Sequence, residues 1–108
     1  YPDEESYRIS QQQALDTIDQ QIHTTQINMR SQEKALTDLL SRAAEIERAK
    51  KTVPRFLIDS IADQRNVVTG LRSKQESQQA ERGRTVELQS RQLQHYRELK
   101  TAQKQPAD

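Results

Sequence analysis

Histidines and carboxylates are the side chains from which this sequence could assemble a catalytic or metal site. His23 and His95 are its two histidines. If the chain folds back on itself at its centre as a helical hairpin, we expect His23 near Arg84 and His95 near Gln12. The two imidazoles then do not converge. No helix face gathers His, Asp and Glu at metal-ligand spacing, and the absence of cysteine removes thiol sites. We therefore expect a non-enzymatic protein with no metal, cofactor or small-molecule substrate.

A cluster of cations in the middle of the chain is the second group that could bind something. Its members are Arg42, Arg48, Lys50, Lys51 and Arg55. As a nucleic-acid site the cluster is weak, because only Phe56 offers a ring for base stacking and no recognised motif accompanies it. The cations also suit a helix terminus, where they favour the negative end of the dipole. The remaining alternative is a docking tip, where Val53, Phe56 and the basic side chains meet a protein partner.

Composition limits the fold to an extended one. Of the 108 residues only 31% are hydrophobic and 4% aromatic, too few to enclose a globular core. The 17 basic and 16 acidic residues nearly balance, and the apolar residues keep helical phase, which favours a helical rod over disorder. The net charge of +1 gives no general reason to expect nucleic acid or an anionic membrane. No apolar run is long enough to span a bilayer.

A heptad-like seam organises the chain around its centre. Toward the N-terminus, alternating three- and four-residue steps fall at Ile46, Ala43, Leu39, Leu36, Gln32, Met29, Thr25, Ile22, Ile18 and Leu15. Toward the C-terminus they fall at Ile61, Gln64, Val68, Leu71, Gln75, Gln78, Arg82, Thr85, Gln89 and Gln92. Successive pairs are equidistant from the Val53–Pro54 bond. The pattern predicts an all-α fold, a long antiparallel two-helix coiled-coil hairpin.

The helix limits follow from capping and proline chemistry. We predict a single hairpin domain with helix 1 over about 5–51, a turn at Thr52–Pro54, helix 2 over about 55–104 and a frayed tail at 105–108. The start lies between Asp3 and Gln11, with a capping box at Ser10 as one option. Val53, which precedes a proline, is pushed toward extended geometry, and Thr52 can cap the second helix.

The seam is apolar near the turn and polar farther out. Leu36 opposite Leu71 is typical of the first region, whereas Gln32 opposite Gln75 is typical of the second. Beyond Arg82 we expect a one-residue shift of the seam, a four-residue stutter, because it would bring Val86 and Leu93 into the interface.

A second apolar line runs beside the seam near the turn. It comprises Ala35, Leu40, Ala44 and Ala49 on helix 1 with Phe56, Ile58, Ala62 and Val67 on helix 2. A two-helix hairpin cannot cover both lines, so hairpins dimerise into a four-helix bundle or a partner binds, unless these residues only thicken the local core. The candidate dimer face is Leu40, Ala44, Ile58, Ala62 and Val67.

The turn region resembles a known family. Arg42-Ala-Ala-Glu-Ile46, followed by a short turn and Phe56-Leu-Ile-Asp59, is similar to the α-helical hairpin of bacterial membrane-fusion (periplasmic adaptor) proteins, although Val53 stands where that family commonly has serine. The resemblance implies that Arg42 and Ile46 lie at the docking end and that the tip contacts an outer-membrane channel protein. It also implies a location in the bacterial periplasm or cell envelope and a longer parent protein.

These observations lead to one functional hypothesis with two alternatives. We expect a coiled-coil interaction or spacer module, in the specific version a secretion or efflux adaptor hairpin. Its candidate partner-binding residues are Arg42, Ile46, Arg48, Lys50, Lys51, Val53, Arg55 and Phe56. The alternatives are a homo-oligomeric scaffold and, less favoured, a basic-tip nucleic-acid-binding hairpin.

Overall fold

Two long α-helices account for almost all of the chain. The computed structural model describes residues 3–104, with α1 at Glu4–Arg48 and α2 at Arg55–Lys104. The described residues contain no strand, and α1 and α2 pack against each other as an antiparallel hairpin. The all-α fold is therefore confirmed. The predicted frayed tail, 105–108, lies outside the described residues.

An aspartate cap fixes the start of α1. The Ser6 N–H donates to Asp3 Oδ1 at 2.7 Å, which satisfies one of the amides that a helix N-terminus leaves free. This bond lowers the pKa of the Asp3 carboxyl below its usual value. Glu4 and Glu5 occupy the first turn, where carboxylates favour the positive end of the dipole. Because the helix starts here, the capping box considered at Ser10 is not its N-terminus.

A left-handed residue ends α1 earlier than the sequence predicted. The helix stops at Arg48 rather than near 51, and Lys50 has a φ of 56°. The Lys51 N–H donates to the Ile46 carbonyl at 3.1 Å, and the Lys50 N–H donates to the Glu47 carbonyl at 2.9 Å. These two bonds form a Schellman motif. The connection is therefore 49–54, and it carries two of the central cations.

Proline stands just before the first residue of α2. The Pro54 carbonyl accepts the N–H groups of Leu57 at 3.1 Å and Ile58 at 3.2 Å. Its missing N–H removes no helical hydrogen bond, because amides at a helix start lack intrahelical acceptors. Pro54 rather than Thr52 therefore occupies the N-cap position.

Replacing Lys50 with glycine is expected to raise the free energy of unfolding by about 0.5–1 kcal/mol. A side chain at positive φ costs roughly 1–2 kcal/mol that glycine avoids, and the more flexible unfolded chain offsets part of this gain. Urea unfolding followed by circular dichroism measures the difference. Lys51→Gly is the matched control, since it removes the same charge from a residue without positive φ. Equal effects of the two substitutions would contradict this account of Lys50.

The contacts divide the chain into two compact units. The tip unit is Ile22–Ser77, which holds the connection, and the base unit is the described part of Tyr1–Gln21 and Gln78–Asp108. In each unit a segment of α1 lies against a segment of α2.

The predicted seam faces are confirmed by burial. All ten predicted seam positions on α1, from Leu15 to Ile46, are buried or half-buried, as are those on α2 from Ile61 to Gln89. Leu57, which the prediction omitted, is 1% exposed. Gln92 is exposed and Leu93 is half-buried. The expected stutter therefore occurs, but it follows Gln89, and Val86 remains exposed.

The pairing along the seam differs from the prediction in both units. In the tip unit Gln64 Nε2 donates to the Gln32 main-chain carbonyl at 2.9 Å and to Gln32 Oε1 at 2.7 Å, eleven residues before Ala43, its predicted partner. In the base unit Gln89 bonds to Gln11, seven residues before the expected Ile18. The prediction placed the fold at the proline, whereas α1 ends earlier and the connection is longer. Shifts of seven or eleven residues are close to whole numbers of helical turns and leave the same faces in contact, so burial alone did not reveal them.

Two glutamines join the helices of the base unit. The side-chain Nε2 of Gln11 donates to the main-chain carbonyl of Gln89 at 2.9 Å, and the side-chain Nε2 of Gln89 donates to the main-chain carbonyl of Gln11 at 2.8 Å. On α1 two successive four-residue steps lead from Tyr7 through Gln11 to Leu15, all of them half-buried. On α2 two such steps lead from Thr85 through Gln89 to Leu93, which are also half-buried. The two stutters therefore coincide, and reciprocal amide bonds fill the polar layer they create.

Ion pairs and stacked rings add further contacts in the base unit. Arg97 bonds to Glu4 at 2.6 Å, and this bond lowers the pKa of the Glu4 carboxyl. The two-bond contact of Arg82 with Asp19 lowers the pKa of the Asp19 carboxyl in the same way. The rings of Tyr7 and Tyr96 stack with centroids 5.1 Å apart. Exposed ion pairs contribute little individually, so we assign these contacts mainly to pairing specificity.

Candidate functional site

The tip carries cations that form no ion pair with residues 3–104. Arg48 ends α1, Lys50 and Lys51 lie on the connection, and all three are exposed. None forms an ion pair with another described residue, whereas Arg55 pairs with Asp59 at 3.3 Å on the first turns of α2. Three exposed positive charges without an ion-pair partner in the described residues attract acidic surfaces.

Phe56 and Ile58 point to opposite sides of the hairpin. Leu57 between them is buried, and successive helical residues are rotated by about 100°. Phe56 is 68% exposed and Ile58 is 49% exposed. The helices are antiparallel, so residues that directly follow a seam position point to one side of the hairpin, whether they are on α1 or α2. Residues that directly precede a seam position point to the opposite side.

This geometry divides the predicted second apolar line between two flanks. The Phe56 flank, one residue before the seam positions, contains Arg42, Phe56 and Val67. The Leu40 flank, one residue after them, contains Leu40, Ala44, Ile58 and Ala62. Of the five residues proposed as a dimer face, Val67 therefore lies on the flank opposite the other four.

The Leu40 flank of the tip unit forms a shallow groove between the helices. Its lining residues are Leu40, Ala43, Glu47, Val53, Ile58, Ile61, Ala62 and Arg65. Leu40 is 38% exposed, Val53 is half-buried and Ala62 is exposed. Along α1 the lining runs from Leu40 to Glu47, which is toward the connection, and along α2 it runs from Ile58 to Arg65, which is away from it. An apolar strip thus lies between one carboxylate and one guanidinium.

The other residues singled out from the sequence have different surroundings. Arg42 is exposed on the Phe56 flank, whereas Ile46 is half-buried in the seam. Ile46 is therefore less accessible to a partner than the resemblance implied. Glu47 and Arg65 were not predicted as binding-surface residues, although both directly follow a seam residue, which places them on the Leu40 flank.

Two further concave surfaces are open and lie on single helices. One is lined on α2 by Ser90 to Glu98, and another is lined on α1 by Glu4 to Gln12. Neither surface excludes water, whereas a catalytic group with a shifted pKa needs surroundings that do. Within residues 3–104, no group of three or more His, Cys, Asp or Glu side chains could hold a metal ion. No described helix is both long and apolar enough to cross a membrane.

Comparison with protein-family models, with curated proteins and with solved structures gives no match for this chain.

Proposed function

We propose that the chain is a non-enzymatic interaction and spacer hairpin that binds a protein partner through its tip. The proposed docking surface is Arg42, Arg48, Lys51 and Phe56. The observation that carries the proposal is Phe56, an aromatic side chain on the first turn of α2 that is 68% exposed. An isolated hairpin gains nothing from exposing this ring, whereas a partner with an apolar pocket gains about 1.5–3 kcal/mol by burying it.

Charge defines the chemistry of the partner. Arg48, Lys50 and Lys51 present positive charge from the tip, so an acidic rim around the apolar pocket complements them. Such complementarity mainly raises the association rate and selects among partners. The partner we infer is a protein with an acidic surface surrounding an aromatic-accepting pocket.

The resemblance to adaptor hairpins supplies the specific version of this proposal. In that version the partner is an outer-membrane channel protein, the compartment is the bacterial periplasm, and Arg42 on the Phe56 flank contacts the channel. The half-buried Ile46 supports the tip from within and takes only a minor part in the contact.

Site-specific photocrosslinking in the native cells tests the proposal. A photoreactive phenylalanine at position 56 is expected to give a discrete adduct with a channel protein, and the same probe at exposed Leu88 in the base unit is not. Arg42→Glu should reduce the position-56 adduct about tenfold, the loss of one good charge contact or about 1.4 kcal/mol. Equal adducts at both positions, or none at 56, would refute tip docking, whereas a nucleic-acid adduct would favour the basic-tip alternative.

A further inference from the structure

We propose that the groove of the Leu40 flank binds the same groove of a second copy of this chain, with the two hairpins antiparallel. The occupant is thus another copy, related by a twofold axis that lies in the interface and is perpendicular to the helices. This inference goes beyond tip docking, because it uses the flank opposite Phe56.

The shape of the groove fits such a pairing. A twofold axis at the centre of the groove exchanges its two ends, so Leu40 of one copy lies level with the partner's Ala44. Ile58 then lies close to the partner's Ala62. Each exposed large side chain meets an exposed alanine, which lets the two surfaces interdigitate as a helix interface requires.

The charges of the groove also complement themselves under this rotation. Glu47 is in the last turn of α1, at the tip end of the groove. Arg65 is at the other end, ten residues or about 15 Å beyond the start of α2. Neither forms an ion pair with another residue in the described range. The twofold axis brings Glu47 level with the partner's Arg65, and the symmetry repeats this pair at the other end of the interface.

A parallel arrangement lacks this complementarity. With the axis along the helices, Glu47 would lie level with the partner's Glu47 and Arg65 with the partner's Arg65. Like charges at the same level oppose association. The separation of the two charges therefore selects the antiparallel dimer.

The size of the overlap predicts a weak dimer. The groove extends over eight residues of each helix, 40–47 and 58–65, which is about 12 Å of each, and it is two helices or about 20 Å wide. Such a patch buries less than the roughly 800 Å² per partner of a standard stable interface. We therefore expect association that depends on protein concentration and weakens with added salt.

Charge reversal in sedimentation experiments tests the pairing. The wild-type 12.6 kDa chain is expected to approach twice that mass at high micromolar concentration. Glu47→Arg and Arg65→Glu, each alone, should weaken dimerisation about tenfold or more, since each places like charges at both ends of the interface. An equimolar mixture of the two variants should dimerise again, because the heterodimer contains two opposite-charge pairs.

Controls separate this inference from loss of folding and from tip docking. Glu45→Arg reverses an exposed carboxylate on the other flank and should leave the dimer unchanged, as should Phe56→Ser. Circular dichroism verifies helix content in every variant. A wild-type mass of one chain at all concentrations, single variants that dimerise normally, or a mixture that stays monomeric would each overturn the proposal.

Discussion

Leu57→Ala is expected to lower the free energy of unfolding by about 2–5 kcal/mol, the range for truncating a buried leucine. Leu57 is 1% exposed, less than any other buried residue in the described part of the chain. It lies on the first turn of α2, where the Pro54 carbonyl accepts its N–H. Its loss should therefore weaken the packing nearest the connection. Thermal and urea unfolding followed by circular dichroism measure the change.

Leu88→Ala is the matched control for Leu57. It makes the same chemical change in the same helix, at a side chain that is 52% exposed, and should cost less than about 0.5 kcal/mol. Similar losses for the two variants would mean that burial at Leu57 contributes nothing special to stability.

Gln78→Leu is expected to have a large effect of the opposite sign. The Gln78 Oε1 atom is buried and has no hydrogen-bond partner in the described range. Leaving such an acceptor unpaired costs about 1–3 kcal/mol, which an apolar side chain of similar shape avoids. We therefore expect the free energy of unfolding to rise by about that amount, with a higher midpoint in urea.

The neighbouring Gln79 provides the comparison for Gln78. Gln79 is exposed, so Gln79→Leu makes the same substitution without relieving a buried amide and should change stability by less than about 0.5 kcal/mol. If Gln78→Leu destabilises the chain, Oε1 is satisfied in solution and the explanation fails.

The faces of the helices could be predicted from the sequence, but their pairing could not. Alternating steps of three and four residues identify which side of each helix is buried, and those positions are the less exposed ones. Sliding one helix past the other by a heptad keeps the same faces in contact. The connection decides between these alternatives, and its length depends on the positive φ of Lys50. Few non-glycine residues adopt this conformation, so a lysine gives no reason to predict it. Taking Pro54 as the centre also left Leu57 outside the seam.

The sequence identified many residues of the candidate surfaces, but it did not predict how they are distributed over the two flanks. Phe56 and Ile58 were placed on one apolar line, yet the buried Leu57 between them puts them on opposite flanks. That division follows from helical geometry and was available from the sequence. The distance between Glu47 and Arg65 was not, because it requires knowing which residues of α1 and α2 are level.

The reciprocal hydrogen bonds of Gln11 and Gln89 fix the axial position of α1 relative to α2 in the base unit. Each glutamine carbonyl accepts an N–H of its own helix as well as the amide of the other, so both of its lone pairs are engaged. Displacing the helices by a single residue, about 1.5 Å, misaligns both amides at once, whereas an apolar layer would tolerate the movement. A pull along the hairpin axis is therefore resisted at this layer by hydrogen-bond direction rather than by side-chain volume.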